Sequence, residues 1–171
     1  MENDLGALAA LYTEGFPDTT RAFWELGLAR MAALPRIDGM PRFGYALESG
    51  GALVGALLTI YSRRGEQIIA NPSAWYVQPA YRDHAIMLFW AATKFKHVLY
   101  VNTSPIWHIH RTLRRNGWQT YNSGRSLVFA ALKWGGGRIR RAIPDDLPAH
   151  ERAILEDHHV WGGICVICDK D

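Results

Sequence analysis

The chain has 171 residues, of which 49% are hydrophobic and 20% charged, a composition typical of one soluble globular domain. Its 19 Lys and Arg against 16 Asp and Glu leave a net charge of +3, which suits an anionic ligand but is too small to indicate nucleic acid. No apolar run is long enough to span a membrane, and the acidic start argues against a secretory signal. Two cysteines make no disulfide framework, so the expected compartment is the cytoplasm.

Helical spacing of apolar residues predicts two helices at the start of the chain. Asp4 is the expected cap of the first, and a turn at residues 15–18 ends it. Asp18 or Thr19 is the expected cap of the second, and Pro35 stops it. The residues that we expect in the core from these helices are Leu5, Leu8, Leu11, Tyr12, Phe23, Trp24, Leu26, Met31 and Leu34.

The next segment predicts three consecutive strands. A Gly50–Gly51 turn lies between the apolar runs 43–48 and 52–61, which is a typical hairpin signal. A second turn at residues 63–66 leads into a third strand over residues 67–77.

Helices and strands alternate in the following segment. Arg82 begins a helix that is apolar on much of its surface, and Ser104 is the expected cap of another, which stops at Gly117. The strands around these helices are expected at residues 97–102, 118–121 and 126–132. This order of elements predicts an α/β fold in which helices cover both faces of one sheet.

Three glycines at residues 135–137 mark a break in the chain. We expect a main domain of residues 1–134 and a C-terminal extension of residues 135–171. Within the extension, Arg138–Arg141 has the composition of a solvated linker, with contact to phosphate as the alternative.

The rest of the extension predicts a short helix and a last strand. The helix begins near Pro144 and runs to about Asp157, and the apolar run Ile164–Cys168 reads as the strand. This strand has no evident partner, and an unpaired strand edge invites association. It therefore docks on the main sheet or on another chain, or the sequence is part of something longer.

The junction between the third strand and the following helix carries the strongest functional signal. Apolar Trp75–Val77 ends the strand, Pro79 breaks it, and Arg82 begins the helix. A helix that starts directly after a strand presents unpaired backbone N–H groups at the positive end of its dipole. Such groups bind phosphate, so the junction predicts a phosphate or pyrophosphate site.

The spacing of Val77, Pro79 and Arg82 resembles the acyl-CoA pyrophosphate loop of the Gcn5-related N-acetyltransferase (GNAT) superfamily. The order of elements is similar to that of the superfamily too, and so are the strands within residues 43–58 and the late helix that ends at Gly117. The resemblance implies an acyl-CoA N-acyltransferase-like fold: a mixed, mostly antiparallel central sheet with helices on both faces.

In that superfamily two neighbouring strands diverge, and the pantetheine arm of the acyl-CoA lies between them like an added strand. The resemblance places this divergence at Val77–Pro79. It implies acetyl-CoA or another acyl-CoA as acyl donor and an amine of a small molecule as acceptor. The residues expected to bind the cofactor are Val77, Arg82, Asp83, His84, Ala85, Ile86 and Met87.

Some positions depart from the pattern of the superfamily. Ala85 and Met87 stand where small glycines are expected, and Leu113 stands at the position of the frequent Tyr general acid. A Cβ limits how closely a ligand approaches the backbone. The alternative is therefore a catalytically degenerate domain of the same fold that binds a ligand or a partner. Neither nucleic acid nor a membrane is an expected partner, and a homodimer is left open.

Candidates for the chemistry lie on the late helix and on the third strand. Ser104, His108 and His110 are near the expected cleft, and His titrates in the range that acyl transfer needs. The two histidines point about 200° apart on a helix, so at most one faces the site. Solvent exposure, packing or capping is the alternative for these three. Trp75 and Tyr76 alternate along their strand, so that one packs in the core and the other lines the acceptor pocket, with core packing of both as the alternative.

A group of potential metal ligands lies near the C-terminus. His158, His159, Cys165 and Cys168 are enough for a tetrahedral zinc ion. Residues three apart on a strand point to opposite faces, however. Both thiolates can therefore bind one ion only if a turn replaces the predicted strand. We expect buried strand cysteines and no metal, with zinc or a redox pair as the alternatives.

Overall fold

The computed structural model of the chain describes residues 4–122, 137–160 and 162–170. These residues form two compact units, one that ends at Gln119 and one that begins at Thr120. The first unit contains α1 (Leu5–Gly15), α2 (Arg21–Ala33), β1 (Gly44–Ser49), β2 (Ala52–Arg64), β3 (Gln67–Val77), α3 (Ala85–Ala92), β4 (Val98–Tyr100) and α4 (His110–Arg115). The second contains β5 (Gly137–Arg141), α5 (Ala149–Val160) and β6 (Val166–Lys170).

The first unit is built on a four-stranded sheet in the order β1-β2-β3-β4. β1 and β3 both pair antiparallel with β2, whereas β4 pairs parallel with β3. At the hairpin between β1 and β2, Gly50 and Gly51 have φ angles of 58° and 78°, which only glycine adopts without strain. The predicted hairpin is confirmed, and β3 has the predicted bounds.

Helices cover both faces of this sheet. Because side chains alternate along β2, Ala56 and Leu58 pack with α1 and α2, whereas Leu57 packs with α3 on the opposite face. Tyr12 and Leu28 are almost fully buried in the first of these clusters. The predicted mixed, mostly antiparallel sheet with helices on both faces is therefore confirmed.

Helix α2 differs from the prediction at its first turn. Thr20 caps it by accepting a hydrogen bond from the Phe23 N–H (3.2 Å). Thr19 does not cap it, because its hydroxyl donates to the Phe16 carbonyl oxygen and accepts from Trp24 Nε1.

The buried face of α2 is also narrower than predicted. Leu28 is buried, whereas Phe23 and Leu26 are 58% and 55% exposed, so their assignment to the core is wrong. The helix packs on the sheet through one stripe only, and both side chains lie outside that stripe.

The segment after β3 is helical from Pro79 rather than from Arg82. A 3₁₀ helix covers Pro79–His84 and continues into α3, which ends at Ala92. Phe95 follows this helix and packs with Ile68 of β3 and Val98 of β4.

The prediction that Ser104 caps the late helix is wrong. The Ser104 N–H donates to Asn102 Oδ1 (3.2 Å), which makes a side-chain turn, and the chain is still extended at Ile106. A 3₁₀ helix at Trp107–Ile109 then leads into α4. Residues 118–121 form no strand, and the strand predicted at 126–132 lies outside the described residues.

In the second unit, β5 and β6 pair antiparallel, with Ile139 opposite Cys168 and Arg138 opposite Asp169. The linker assigned to Arg138–Arg141 is therefore a strand, and it is the partner that the last strand lacked in the sequence. Opposite charges across the strands favour this register, and Arg140 adds ion pairs to Asp146 and Asp169.

Cys165 is half-buried and Cys168 is exposed, so the expectation of buried strand cysteines is wrong. Cys165 lies just before β6, and only Cys168 lies in it. Within the described ranges, no three His, Cys, Asp or Glu side chains come close enough together to hold a metal ion.

Candidate functional site

The two parallel strands of the sheet diverge after three residue pairs. Ile68, Ile69 and Ala70 of β3 pair with β4, and the Val101 N–H then donates to the Ala70 carbonyl oxygen (2.9 Å). A regular parallel ladder continues from the N–H of residue 72 to Val101 O. That residue is Pro72, which has no N–H, so the ladder stops.

Asn71 takes over the role of the missing donor. With its amide oriented by its hydrogen bonds, Asn71 donates to Val101 O (2.9 Å) and to Pro72 O (3.2 Å). Beyond this point β3 continues to Val77 with β2 on one side and no strand of the described residues on the other. The divergence therefore begins several residues before Val77–Pro79, where the resemblance placed it.

A β-bulge follows directly in the same strand. Leu57 pairs with Trp75 and Thr59 pairs with Pro72, so two residues of β3 lie opposite Leu58 alone. Bulges bend a strand and redirect its side chains, and they are frequent next to active sites.

Tyr12 of α1 holds this bulge. Its hydroxyl donates to the carbonyl oxygen of Ala74, one of the two bulged residues (3.1 Å). Burial raises the pKa of the Tyr12 hydroxyl, so it stays a neutral donor near neutral pH.

The end of α1 brings a carboxylate to the end of β3. Glu14 Oε1 accepts a hydrogen bond from the Tyr76 hydroxyl (2.8 Å), and Glu14 Oε2 accepts one from Gln78 Nε2 (3.0 Å). The carboxylate is exposed but fixed at both oxygens. This residue was missed by the sequence analysis, because 62 positions separate Glu14 from Tyr76 and neither forms a local motif.

Gly15 makes this contact sterically feasible. A Cβ at Gly15 would overlap the ring of Tyr76, so the ring packs directly against the backbone of α1. Glu14 and Gly15 are therefore a pair in which one residue binds the Tyr76 hydroxyl and the other makes room for its ring.

The charges of Glu14 and Arg82 act on Tyr76 in opposite directions. Partial burial raises the pKa of the Tyr76 hydroxyl. The hydrogen bond to Glu14 and the negative charge of that carboxylate raise the pKa further, whereas the positive charge of Arg82 lowers it. Arg82 is thus near enough to this polar cluster to influence it, and its side chain is exposed.

Trp75 points to the opposite face of the sheet. Its ring stacks on Phe89 of α3 at 5.9 Å between centroids, and its buried Nε1 has no hydrogen-bond partner. Trp118 contacts both Phe89 and Tyr100, so aromatic rings connect β3 with β4 where the strands have parted. Trp75 and Tyr76 therefore lie on opposite faces, as their alternation indicates.

The residues predicted to bind the cofactor follow β3 in a continuous helical segment. The Ala85 N–H donates to the Arg82 carbonyl oxygen, so this amide is already used inside the protein. The side chains vary in exposure. Val77 is buried, Ala85 and Ile86 are half-buried, and the exposed ones are Arg82, Asp83, His84 and Met87.

The three predicted catalytic residues share no hydrogen bond with the polar cluster of Glu14 and Tyr76 among the described residues. Ser104 and His108 are exposed, and His108 contacts the ring of Trp107 edge to face. His110 is half-buried, with Nε2 at 3.4 Å from the Pro105 carbonyl oxygen. The two histidines differ in exposure, as expected for neighbours that point in different directions.

The fold and this strand geometry are consistent with an acyl-CoA N-acyltransferase-like architecture. No protein-family model matches the chain, and no curated protein matches it. A search of solved structures found an acetyltransferase from Trypanosoma brucei, with 15% identity and a TM-score of 0.48, over 75% of this chain and 95% of that one. No described helix is long and apolar enough to cross a membrane.

Proposed function

We propose that the chain is an acyl-CoA-dependent N-acyltransferase that transfers an acetyl or another acyl group to an amine of a small molecule. The observation that carries the proposal is the divergence of β3 from β4 after Ala70. It leaves the second half of β3 with an unpaired edge among the described residues. An extended ligand with amide groups binds such an edge by β-augmentation, and the pantetheine arm of an acyl-CoA is a ligand of this kind.

The polar end of the site suits the other end of the donor. Arg82 and His84 are exposed at the end of β3, where their side chains can contact the phosphates of CoA. Because the Ala85 amide is engaged with Arg82 O, we assign the phosphate contacts to side chains more than to the backbone of this segment.

Glu14 is the best placed proton acceptor in this arrangement. An acceptor amine is an ammonium ion near neutral pH and must lose a proton before its nitrogen attacks the thioester carbon. As the C–N bond forms, the C–S bond breaks, and the CoA thiolate leaves and takes up a proton. The Glu14 carboxylate lies at the end of β3, held by Tyr76 and Gln78, where it can attract the ammonium and take its proton.

Binding and turnover of acetyl-CoA test the proposal. Titration calorimetry should show saturable binding, and a thiol-release assay with a panel of primary amines should show turnover. Glu14→Gln keeps the size of the side chain and removes its charge, so it should lower kcat/KM by about 100-fold or more without altering acetyl-CoA affinity. The control is Glu25→Gln, because Glu25 is exposed on the surface of α2, where it pairs with Arg21. Equal activity of the two variants would remove Glu14 from the mechanism.

The second candidate is a degenerate domain that binds CoA or a partner without catalysis. Two features of the segment after β3 favour it. The Ala85 N–H is already hydrogen-bonded to the Arg82 carbonyl oxygen, and Met87 carries a long side chain, 53% exposed, where the superfamily has a glycine. Neither position is therefore an open stretch of backbone that a phosphate can approach. Acetyl-CoA binding without thiol release on any amine would support this candidate. The absence of binding at millimolar acetyl-CoA would rule out the acyltransferase and would leave only a degenerate domain that binds a partner.

A further inference from the structure

The distribution of charge along the chain is strongly uneven. Residues 84–144 contain ten Lys and Arg and no Asp or Glu, whereas the rest of the chain contains nine basic and 16 acidic residues. The small net charge is therefore an average over a basic segment and an acidic remainder. A stretch of this length without a single carboxylate points to a polyanionic partner.

The first unit exposes part of this basic segment around α4. Arg111, Arg114 and Arg115 are exposed, while Leu113 is buried and holds the helix on the protein. Residues three and four apart share one face of a helix, so Arg111 lies beside both of the other arginines. One turn earlier, Trp107 is 84% exposed.

These side chains are available for a ligand. No carboxylate of the described residues forms an ion pair with the three arginines. The indole of Trp107 lies nearly perpendicular to the ring of His108, at 5.4 Å between centroids, and its high exposure leaves most of its surface open to a stacking base.

We propose that Trp107, Arg111, Arg114 and Arg115, the α4 surface, bind single-stranded nucleic acid. A base stacks on Trp107, and the arginines contact the phosphates on either side of that base. Stacking on an aromatic ring needs an unpaired base, so single strands are favoured over duplexes. This inference departs from the expectation that nucleic acid is no partner, which rested on the small net charge of the whole chain.

The chemistry of the surface favours a nucleic acid over a membrane or an acidic protein. A helix that lies in a membrane interface needs an apolar stripe along its length, and α4 has six residues whose exposed side is basic. An acidic peptide pairs with the arginines but has no planar group for Trp107. The combination of a stacking ring and guanidinium groups matches a chain of bases and phosphates.

Fluorescence anisotropy with labelled oligouridine and oligodeoxythymidine of about 15 nucleotides tests the proposal. Trp107→Ala should weaken binding about fivefold or more, because stacking is lost. Arg111→Gln with Arg114→Gln should weaken it about tenfold or more, and should reduce the slope of log K against log salt by about 1.4. Trp107→Ala should leave the weaker binding of duplex DNA unchanged.

The matched control is Arg63→Gln with Arg64→Gln, which removes the same charge from exposed residues at the end of β2. It should bind as the wild type does, and circular dichroism should show that all variants are folded. Excess CoA should not displace the oligonucleotide, which separates this surface from the proposed acyl-CoA site. The proposal of nucleic-acid binding can therefore be confirmed or contradicted independently of the proposal of acyl transfer.

Several outcomes would overturn the proposal. One is the absence of oligonucleotide binding at about 50 mM salt, where electrostatic binding is strong. Another is an equal loss in the α4 variants and in the control. Preferential binding of polyglutamate or of vesicles containing phosphatidylserine, with the same dependence on Trp107, would assign the surface to an acidic protein or to a membrane instead.

Discussion

The two halves of β3 differ in how they are paired and in what surrounds them. In the first half, Gln67–Ala70, the residues from Ile68 to Ala70 pair with strands on both sides, and Ile68 and Ala70 are buried in one apolar cluster with Met40 and Val98. Asn71–Val77 is paired on one side among the described residues, carries a bulge, and contacts α1 through the Tyr12 and Glu14 side chains.

This difference shows how one strand can serve both stability and function. The doubly paired half anchors β4 by backbone hydrogen bonds and apolar burial. Pro72 then ends the pairing, and the second half presents polar and aromatic groups to both faces. We therefore expect substitutions in the first half to affect stability mainly and those in the second half to affect ligand binding or activity mainly.

The largest expected effect is that of Ile68→Ala in the doubly paired half. Ile68 is 8% exposed and packs with Met40, Ala70 and Val98. Its truncation should lower the free energy of unfolding by about 2–5 kcal/mol, measured by urea denaturation, and leave the acetyl-CoA affinity of the folded protein unchanged. A decrease in the free energy of unfolding below about 1 kcal/mol would mean that burial in this half contributes little to stability.

A smaller effect is expected for Gly15→Ala, which acts on the second half from α1. The new methyl group overlaps the Tyr76 ring and displaces it from Glu14, at a cost of about 1–3 kcal/mol and with loss of activity. Gly27→Ala in α2 is the control, because nothing lies within 4 Å of its Cβ position.

Substitution by alanine should therefore change the free energy of unfolding in opposite directions at the two glycines. Gly27→Ala should raise the free energy of unfolding by about 0.4–1 kcal/mol and preserve activity. If Gly15→Ala also stabilised the protein, the packing of Tyr76 on Gly15 would be contradicted.

The smallest effect is expected for Trp75→Phe. The smaller ring keeps the stacking on Phe89 and removes an indole N–H that has no partner. The lost contact area and the removed unpaired donor offset one another, so denaturation should give a change within about 1 kcal/mol. A loss above about 2 kcal/mol would contradict this offset between lost packing and the removed unpaired donor.

The sequence predicted the frame of the fold because its signals are local. Gly50 and Gly51 marked the hairpin, apolar periodicity identified α1 and α2, and the turn at residues 63–66 marked the start of β3. The prediction of helix caps failed where another local hydrogen bond formed instead, as at Thr19 and Ser104. The sequence prediction also failed at Arg138–Arg141, where pairing with β6 turned a charged, linker-like segment into a strand.

The site was less predictable than the fold. Periodicity could place Trp75 and Tyr76 on opposite faces, but no local signal connects Glu14 with Tyr76. The composition of β3 did contain the reason for the divergence. Pro72, which follows Asn71 inside a predicted strand, indicates a missing ladder donor and so marks where the pairing ends.

The central claim is that the divergence caused by Pro72 creates the acyl-CoA site, and titration of acetyl-CoA into the wild type and Pro72→Ala tests it most directly. The alanine N–H can donate to Val101 O and extend the parallel ladder into the gap. The wild type should bind saturably, and the variant should bind about tenfold more weakly, the equivalent of about one hydrogen bond. Equal affinities, or no saturable binding by the wild type, would contradict the claim.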